Sequence, residues 1–141
     1  MAKVRDIMQK NVITIKDDKT ALEAALQLKE KDISFLVIVK DEKPVGVITE
    51  RDFVRKIVAK DMHASKVALT EIMSPKFRSV GPNTDIEDAV QKMLNYNIRR
   101  LIVIEDENLV GVITQTDLTG YLRSKILING TIDDIDSKKL E

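Results

Sequence analysis

The chain has 141 residues, of which 43% are hydrophobic and 4% aromatic, and its 23 basic residues balance 23 acidic ones. This length suits one compact domain or two small lobes, and the composition is that of an ordinary folded protein with an aliphatic core. Zero net charge argues against a nucleic-acid partner, and the absence of cysteine excludes disulfides, thiol nucleophiles and cysteine-type zinc sites.

The sequence also gives expectations about location. No apolar run approaches the roughly 20 residues that span a bilayer, and the first six residues lack the apolar core of a signal peptide. We therefore expect a cytoplasmic protein without a membrane partner.

In chain order, the first half predicts the elements β-α-β-β-α. The β-branched run Val12–Ile15 predicts a strand, and Thr20 with Glu23 resembles a capping box that opens a helix running to about Lys31. The continuous apolar run Phe35–Val39 predicts a strand covered on both faces. The remaining predictions are a turn at Asp41–Pro44, a third strand at Val45–Ile48 and a helix from Thr49 to about Ala59.

The second half repeats the first. An offset of 65 residues aligns Val4–Ile57 with Leu69–Leu122 at 13 identities in 54 positions. The block Val-Gly-Val-Ile-Thr-x-x-Asp ends at Asp52 and again at Asp117, and an Ile-Met pair precedes the first strand of each repeat. We predict a first repeat at residues 1–62, a second at 63–125 and a C-terminal tail at 126–141.

The repeated block carries the sharpest chemical signal. Its glycine lets another backbone or a ligand approach closely. Thr49 and Thr114 are predicted at helix N-caps, where free backbone N–H groups attract phosphate. The carboxylates of Asp52 and Asp117, three residues on, could accept hydrogen bonds from ribose hydroxyls. A simpler interpretation is that Thr-x-x-Asp only caps a helix.

Three arginines support an anionic ligand. Arg51 falls in the first turn of its helix, where the macrodipole disfavours a cation unless an anion is near. Arg99 and Arg100 precede a strand, and a guanidinium group suits phosphate oxygens. Strand alternation sends these two side chains to opposite sides. The alternatives are a solvated surface arginine and a pair of exposed strand-edge charges.

Catalysis finds little support. No serine has a recognisable base, and the lone histidine, His63, has no ligand-type neighbour and is expected at the surface. The acidic pairs beginning at Asp17 and Asp133 lack calcium-loop spacing. Asp52 and Asp117 suit ribose binding better than acid–base chemistry. We expect no enzymatic activity, no metal site and no cofactor; Met8, Met73 and Met93 are expected to fill the core.

The β-α-β-β-α order, the leading Ile-Met and the closing Gly-h-h-Thr-x-x-Asp, with h apolar, resemble the CBS domain. The resemblance covers Val4 to about Arg123. It implies an α/β (α+β) fold of two β-α-β-β-α repeats packed sheet to sheet with pseudo-twofold symmetry, a Bateman module.

The same resemblance implies a function. Such pairs bind AMP, ADP, ATP or S-adenosylmethionine in the cleft between repeats, act as energy or metabolite sensors, and dimerise. A protein partner is a further expectation, and the alternative is a ligand-free homodimer that serves as a scaffold. Thr49, Asp52, Thr114 and Asp117 would hold phosphate and ribose, with Arg99 and Arg100 on phosphate. Adenine would meet Thr14, Ile15 and Ser34 opposite Asp117, and Ser79, Val80 and Ile98 opposite Asp52.

The two repeats differ at these positions. Ser34 stands where the second repeat has Arg99, and Arg51 corresponds to Thr116. We therefore expect two sites of unequal affinity.

Overall fold

A computed structural model describes residues 2–128, and most of the predicted tail, including Asp133 and Asp134, lies outside the described residues. The first half contains α1 (Val4–Ile7), β1 (Thr14–Lys16), α2 (Ala21–Lys31), β2 (Phe35–Lys40), β3 (Lys43–Thr49) and α3 (Glu50–Phe53), which continues as a π-helical segment (Val54–Val58). The second half contains a 3-10 turn (Ala64–Lys66), α4 (Leu69–Ile72), β4 (Ser79–Val80), α5 (Ile86–Tyr96), β5 (Arg100–Glu105), β6 (Asn108–Thr114) and α6 (Gln115–Ile128).

Each half forms its own three-stranded sheet, in the orders β1-β2-β3 and β4-β5-β6. β1 runs parallel to β2, and β2 runs antiparallel to β3 with Leu36 opposite Ile48. β4 likewise runs parallel to β5, with Ser79 opposite Ile102. The predicted mixed α/β class and the repeated β-α-β-β-α order are confirmed.

The long helix of each repeat begins and ends as its residues dictate. Thr20 caps α2, because its hydroxyl oxygen accepts a hydrogen bond from the N–H of Glu23 at 3.2 Å. The helix ends where Asp32 takes the left-handed conformation at φ 54°, and α5 ends in the same way at Asn97 with φ 52°.

The β2–β3 turn is shorter than predicted. Asp41 and Glu42 both have positive φ, at 51° and 66°, which makes a two-residue turn whose twist matches antiparallel strands. Lys43 therefore already pairs with Lys40, and Pro44 lies opposite Val39 in β3. A proline is tolerated there because β3 is an edge strand of its sheet.

The chain divides into two compact units that do not follow the order of the sequence. The first-repeat unit comprises residues 11–78 and 105–109; the second-repeat unit comprises the described residues of 1–10, 79–104 and 110–128. The segment before the first strand of each repeat thus belongs to the unit of the other repeat. The repeat boundaries at 62 and 125 stay a prediction, and the compact units exchange these leading segments.

The exchanged segments complete the two cores. Val4 in α1 is fully buried in the second-repeat unit, where its N–H donates to the carbonyl of Thr84 at 2.9 Å. Leu69 in α4 is fully buried in the first-repeat unit, where its N–H donates to the carbonyl of Lys19 at 3.0 Å. Other buried residues of the first core include Ile15, Ala24, Leu28, Leu36, Ile38 and Ile48, and those of the second include Ala89, Met93, Leu101, Val103, Ile113 and Leu118.

The glycine of each repeated block lies under an exchanged segment. A Cβ at Gly111 would stand 2.7 Å from Sδ of Met8 and 2.9 Å from the carbonyl oxygen of Gln9. A Cβ at Gly46 would stand 2.8 Å from Sδ of Met73 and 3.0 Å from the carbonyl oxygen of Ser74. Close backbone approach, one of the two roles predicted for this glycine, is confirmed. It also gives the methionine of each Ile-Met pair a packing role against this glycine.

Candidate ligand-binding site

The second repeated block ends in a reciprocally capped turn, which we call the second corner (Thr114 and Asp117). The backbone N–H and the hydroxyl of Thr114 both donate to Oδ2 of Asp117, each at 2.9 Å. The N–H of Asp117 donates in return to the Thr114 hydroxyl at 3.1 Å. One carboxylate oxygen is therefore committed to the start of α6.

The first corner (Thr49 and Asp52) has the same geometry. The N–H of Thr49 donates to Oδ2 of Asp52 at 2.9 Å, and the Thr49 hydroxyl lies 3.3 Å from the same oxygen. The capping interpretation of Thr-x-x-Asp is thus confirmed for Oδ2 in both repeats. The cap does not engage the second oxygen, Oδ1, of either carboxylate.

The two Oδ1 atoms have different neighbours, which sequence reasoning did not identify. Oδ1 of Asp52 lies 3.2 Å from Nζ of Lys56, which also donates to the carbonyl of Ile72 at 2.8 Å. Oδ1 of Asp117 accepts a hydrogen bond from Nε2 of Gln9 at 3.1 Å. A position-by-position comparison of the repeats does not single out either residue, because Lys56 corresponds to Tyr121 and Gln9 to Ser74.

The start of the second strand lies beside the corner of its own repeat. The N–H of Glu50 donates to the carbonyl of Ser34 at 3.1 Å, and the N–H of Gln115 donates to that of Arg99 at 2.8 Å. In this conformation the N–H groups of Glu50 and Gln115 are therefore already engaged and do not donate to a phosphate. The next N–H groups in each turn belong to Arg51 and Thr116, whose side chains are exposed.

The predicted adenine contacts lie on short strands whose carbonyl groups are already engaged. Thr14 is half-buried and its carbonyl accepts from Nε2 of Gln27 at 3.0 Å. Ser79, at the equivalent position, is half-buried and accepts from Nζ of Lys92 at 2.6 Å. Ile15 lies in the first core, so only its backbone could contact a ligand.

The other predicted residues are placed as follows. Ser34 and Arg99 are exposed, and Arg100 is half-buried at the start of β5. Val80 and Ile98 are half-buried and pack against the second core. The structure therefore brings Ser34 and Arg51 to the first corner, and Arg99 and Thr116 to the second. The predicted grouping of residues from opposite repeats around one ligand stays a prediction.

The weaker candidates take ordinary positions. His63 is exposed beside the 3-10 turn. Met93 is buried, and Met8 and Met73 pack against the cores. Within residues 2–128, no three side chains of the metal-binding types converge as metal ligands would. No helix in the same part of the chain combines the length and apolar character needed to cross a bilayer.

Comparison with known proteins shows which family this chain resembles. The sequence model of the CBS domain matches residues 4–59 and 69–124. The CBS domain-containing protein YhcV of Bacillus subtilis is 32% identical over 118 residues, which cover 84% of each chain. The uncharacterized protein MK0525 of Methanopyrus kandleri is 34% identical over 117 residues, which cover 82% of this chain but only 60% of that protein.

A solved structure extends the likeness to the fold. The CBS domain pair of protein MJ0100, crystallised in complex with 5′-methylthioadenosine and S-adenosyl-L-methionine, superposes with a TM-score of 0.79 at 29% identity. The match covers 89% of this chain and 98% of that one.

Proposed function

Because the chain belongs to the CBS-domain family, we propose that it is a non-catalytic regulatory module that binds adenosine-type ligands at its two corners. The ligand class is AMP, ADP, ATP or S-adenosylmethionine, and the module acts as an energy or metabolite sensor. The observation that carries the proposal is the divided use of each aspartate. Oδ2 caps a helix. Oδ1 takes no part in the cap and is contacted by the side chain of Lys56 at the first corner and of Gln9 at the second.

An adenosine ligand matches what the corners offer. Ribose hydroxyls are donors, and a half-buried carboxylate oxygen is a strong acceptor for them. The Asp52 side chain is 15% exposed, so water competes only partly for that oxygen. Lys56 at the first corner provides positive charge for a phosphate or carboxylate group of the ligand. At the second corner lies the exposed Arg99, whose backbone carbonyl accepts from the N–H of Gln115. The adenosine ligands of the MJ0100 pair support the same class.

A sensor also needs two states that the ligand distinguishes. A ligand shifts an equilibrium only by the difference between its affinities for the two states. The corners lie at strand–helix junctions, so a ligand on Oδ1 contacts the first turn of the following helix. The output would pass through a partner protein or through oligomeric state.

The Asp52→Asn and Asp117→Asn double variant is expected to lose ligand-induced stabilisation while it stays folded. An amide oxygen can replace Oδ2 in the cap, but the NH2 group then replaces Oδ1 and is a donor instead of an acceptor. With AMP, ATP or S-adenosylmethionine at about 100 times its Kd, the unchanged protein should gain roughly 2.7 kcal/mol. The measurement is the melting temperature with and without each compound at millimolar concentration.

The matched control is Asp18→Asn, which makes the same chemical change at an exposed aspartate and should keep the full ligand response. The Asp52→Ala and Asp117→Ala double variant should also lose the response, from a lower starting stability because both caps are removed. No shift of the unchanged protein with any adenosine compound would refute nucleotide sensing and favour the scaffold.

A second candidate function is a homodimeric scaffold, favoured by apolar side chains that the first-repeat unit leaves in solvent. Leu22 and Leu26 lie one turn apart on α2, and Val54 and Val58 lie four residues apart on the segment after α3. Their side chains are between 38% and 71% exposed. Exposed apolar pairs on helices are typical of surfaces that another protein covers, and a second copy is the occupant we propose.

The Leu26→Lys and Val58→Lys double variant is therefore expected to sediment as a monomer of 15.9 kDa, where the unchanged protein sediments as a dimer. A lysine at each position would place a charge in the core of the interface, where charged residues are rare. Sedimentation velocity provides the measurement, and Glu30→Lys, at an exposed position of α2, is the control. A monomeric unchanged protein would rule out this candidate.

A further inference from the structure

At the second corner, a side chain from another part of the protein already hydrogen-bonds to the carboxylate of Asp117. Nε2 of Gln9 lies 3.1 Å from Oδ1 and 3.2 Å from Oδ2 of Asp117, although the two residues are 108 positions apart in sequence. The exchange of leading segments brings them together, because residues 1–10 belong to the second-repeat unit. The amide of Gln9 thus covers the carboxylate oxygen that the cap leaves over.

The backbone fixes where Gln9 sits. Its N–H donates to the carbonyl of Val112 at 2.8 Å, and its own carbonyl accepts from the N–H of Val112 at 3.0 Å. Next to it, Met8 lies against Gly111. The side chain of Gln9 is exposed, so it can rotate away from Asp117 without release of the backbone pair.

A count of acceptor sites shows what a ligand would meet. Each carboxylate oxygen accepts about two hydrogen bonds. Oδ2 of Asp117 already accepts two from Thr114. Nε2 of Gln9 is shared between the two oxygens and takes one position on Oδ1. A ribose with two neighbouring hydroxyls needs both positions on Oδ1. The Gln9 amide must therefore leave before both hydroxyls can bind.

The first corner has a different neighbour at Oδ1. Ser74 stands at the position equivalent to Gln9 and makes the same backbone pair, with Val47, at 2.9 and 3.0 Å. Its side chain ends one atom beyond Cβ, two bonds short of the reach of a glutamine amide nitrogen. The neighbour of Asp52 is instead Lys56, which also takes one position on Oδ1. Unlike the neutral Gln9 amide, its ammonium is charged and has a third N–H, beyond those directed at Asp52 and the carbonyl of Ile72, to donate to a ligand.

We propose that Gln9 competes with ligands for Asp117, and so sets the affinity of the second corner below that of the first. The inference rests on the proposed function, since it concerns the same carboxylate. It assigns a specificity-determining role to a residue outside both Thr-x-x-Asp motifs. It also makes ligand binding at the second corner a process that moves the side chain of the exchanged N-terminal segment.

The test uses 5′-methylthioadenosine, which presents the ribose hydroxyls without a phosphate. Calorimetric titrations are made on the full chain with Asp52→Asn, which leaves the second corner as the binding site. Gln9→Met, which keeps the side-chain length without the donor, is expected to tighten binding about fivefold, the value of one net hydrogen bond. Gln9→Ala should give the same change, so that a defect of one variant does not decide the outcome.

The matched control is Ser74→Ala in the Asp117→Asn background, which should leave the affinity of the first corner unchanged. Unchanged or weaker binding in both Gln9 variants, with the Asp52→Asn parent still binding, overturns the competitor role and leaves the proposed function standing. If neither the unchanged protein nor any variant binds 5′-methylthioadenosine, AMP or S-adenosylmethionine, both proposals are overturned. Binding that is seen only after Gln9 is replaced supports the competitor role most strongly.

Discussion

The Gly111→Val substitution is expected to lower the melting temperature by about 10 °C. Even a Cβ at this position would stand 2.9 Å from the carbonyl oxygen of Gln9, which is backbone and cannot rotate away. The two further methyl groups of valine make separation of β6 from the exchanged segment unavoidable. Overpacking of this kind costs up to about 3 kcal/mol, and a domain of this size loses roughly 3 to 4 °C per kcal/mol. Thermal unfolding followed by circular dichroism gives the value.

Gly120→Ala is the matched control, because it adds a Cβ to a glycine of α6 that has nothing within 4 Å. Alanine in an exposed helix interior should raise stability by up to about 1 kcal/mol. Gly46→Val should resemble Gly111→Val, since Ser74 and Met73 crowd it in the same way. Equal effects at positions 111 and 120 would contradict the steric explanation.

The Val4→Asp substitution is expected to destabilise the second-repeat unit by about 3 to 5 kcal/mol, although Val4 lies at the start of the first repeat in the sequence. Val4 is fully buried among residues of the second core, which include Leu101 and Ile113. A carboxylate there would be desolvated inside an apolar cluster. Amide hydrogen exchange should accelerate first in β5 and β6, which are the strands of that unit that the core covers.

Two comparisons make this result specific to burial. Lys10→Asp places the same side chain at an exposed position of the same segment and should change stability by less than about 0.5 kcal/mol. Leu69→Asp should produce the mirror-image result, with faster exchange in β2 and β3. Faster exchange in β2 and β3 after Val4→Asp would contradict the assignment of the N-terminal segment to the second-repeat unit.

Most of the fold could be predicted because local patterns determine it. The Thr20 cap, the apolar run at β2 and the duplicated block each depend on residues close together in sequence, and all appear where expected. The β2–β3 turn was predicted too long because positive φ at Asp41 and Glu42 has no glycine to signal it. The exchange of leading segments depends on contacts between residues far apart in sequence. Because both leading segments contain the same Ile-Met pair, the sequence pattern does not show which repeat each one packs against.

The same distinction holds for the candidate site. Thr49 with Asp52 and Thr114 with Asp117 are three residues apart, so their mutual contacts follow from helix geometry. Lys56 is only four residues from Asp52, but its counterpart Tyr121 is not a cation, so the duplication gave no reason to select it. Gln9 reaches Asp117 only after the N-terminal segment has docked on the second-repeat unit.

The exchange of leading segments bears on how such a chain can originate. An ancestor with one repeat would have carried its own Ile-Met pair and its own glycine, with a short connection between them. Two copies of that ancestor could have exchanged their leading segments, so that each segment completed the core of the other copy, as in a domain-swapped dimer. Fusion of two such genes would make the exchange intramolecular, with Met8 packed on Gly111 and Met73 packed on Gly46. If the chain were cut between the repeats and one half expressed alone, that half would keep a leading segment whose packing partners lie in the missing half.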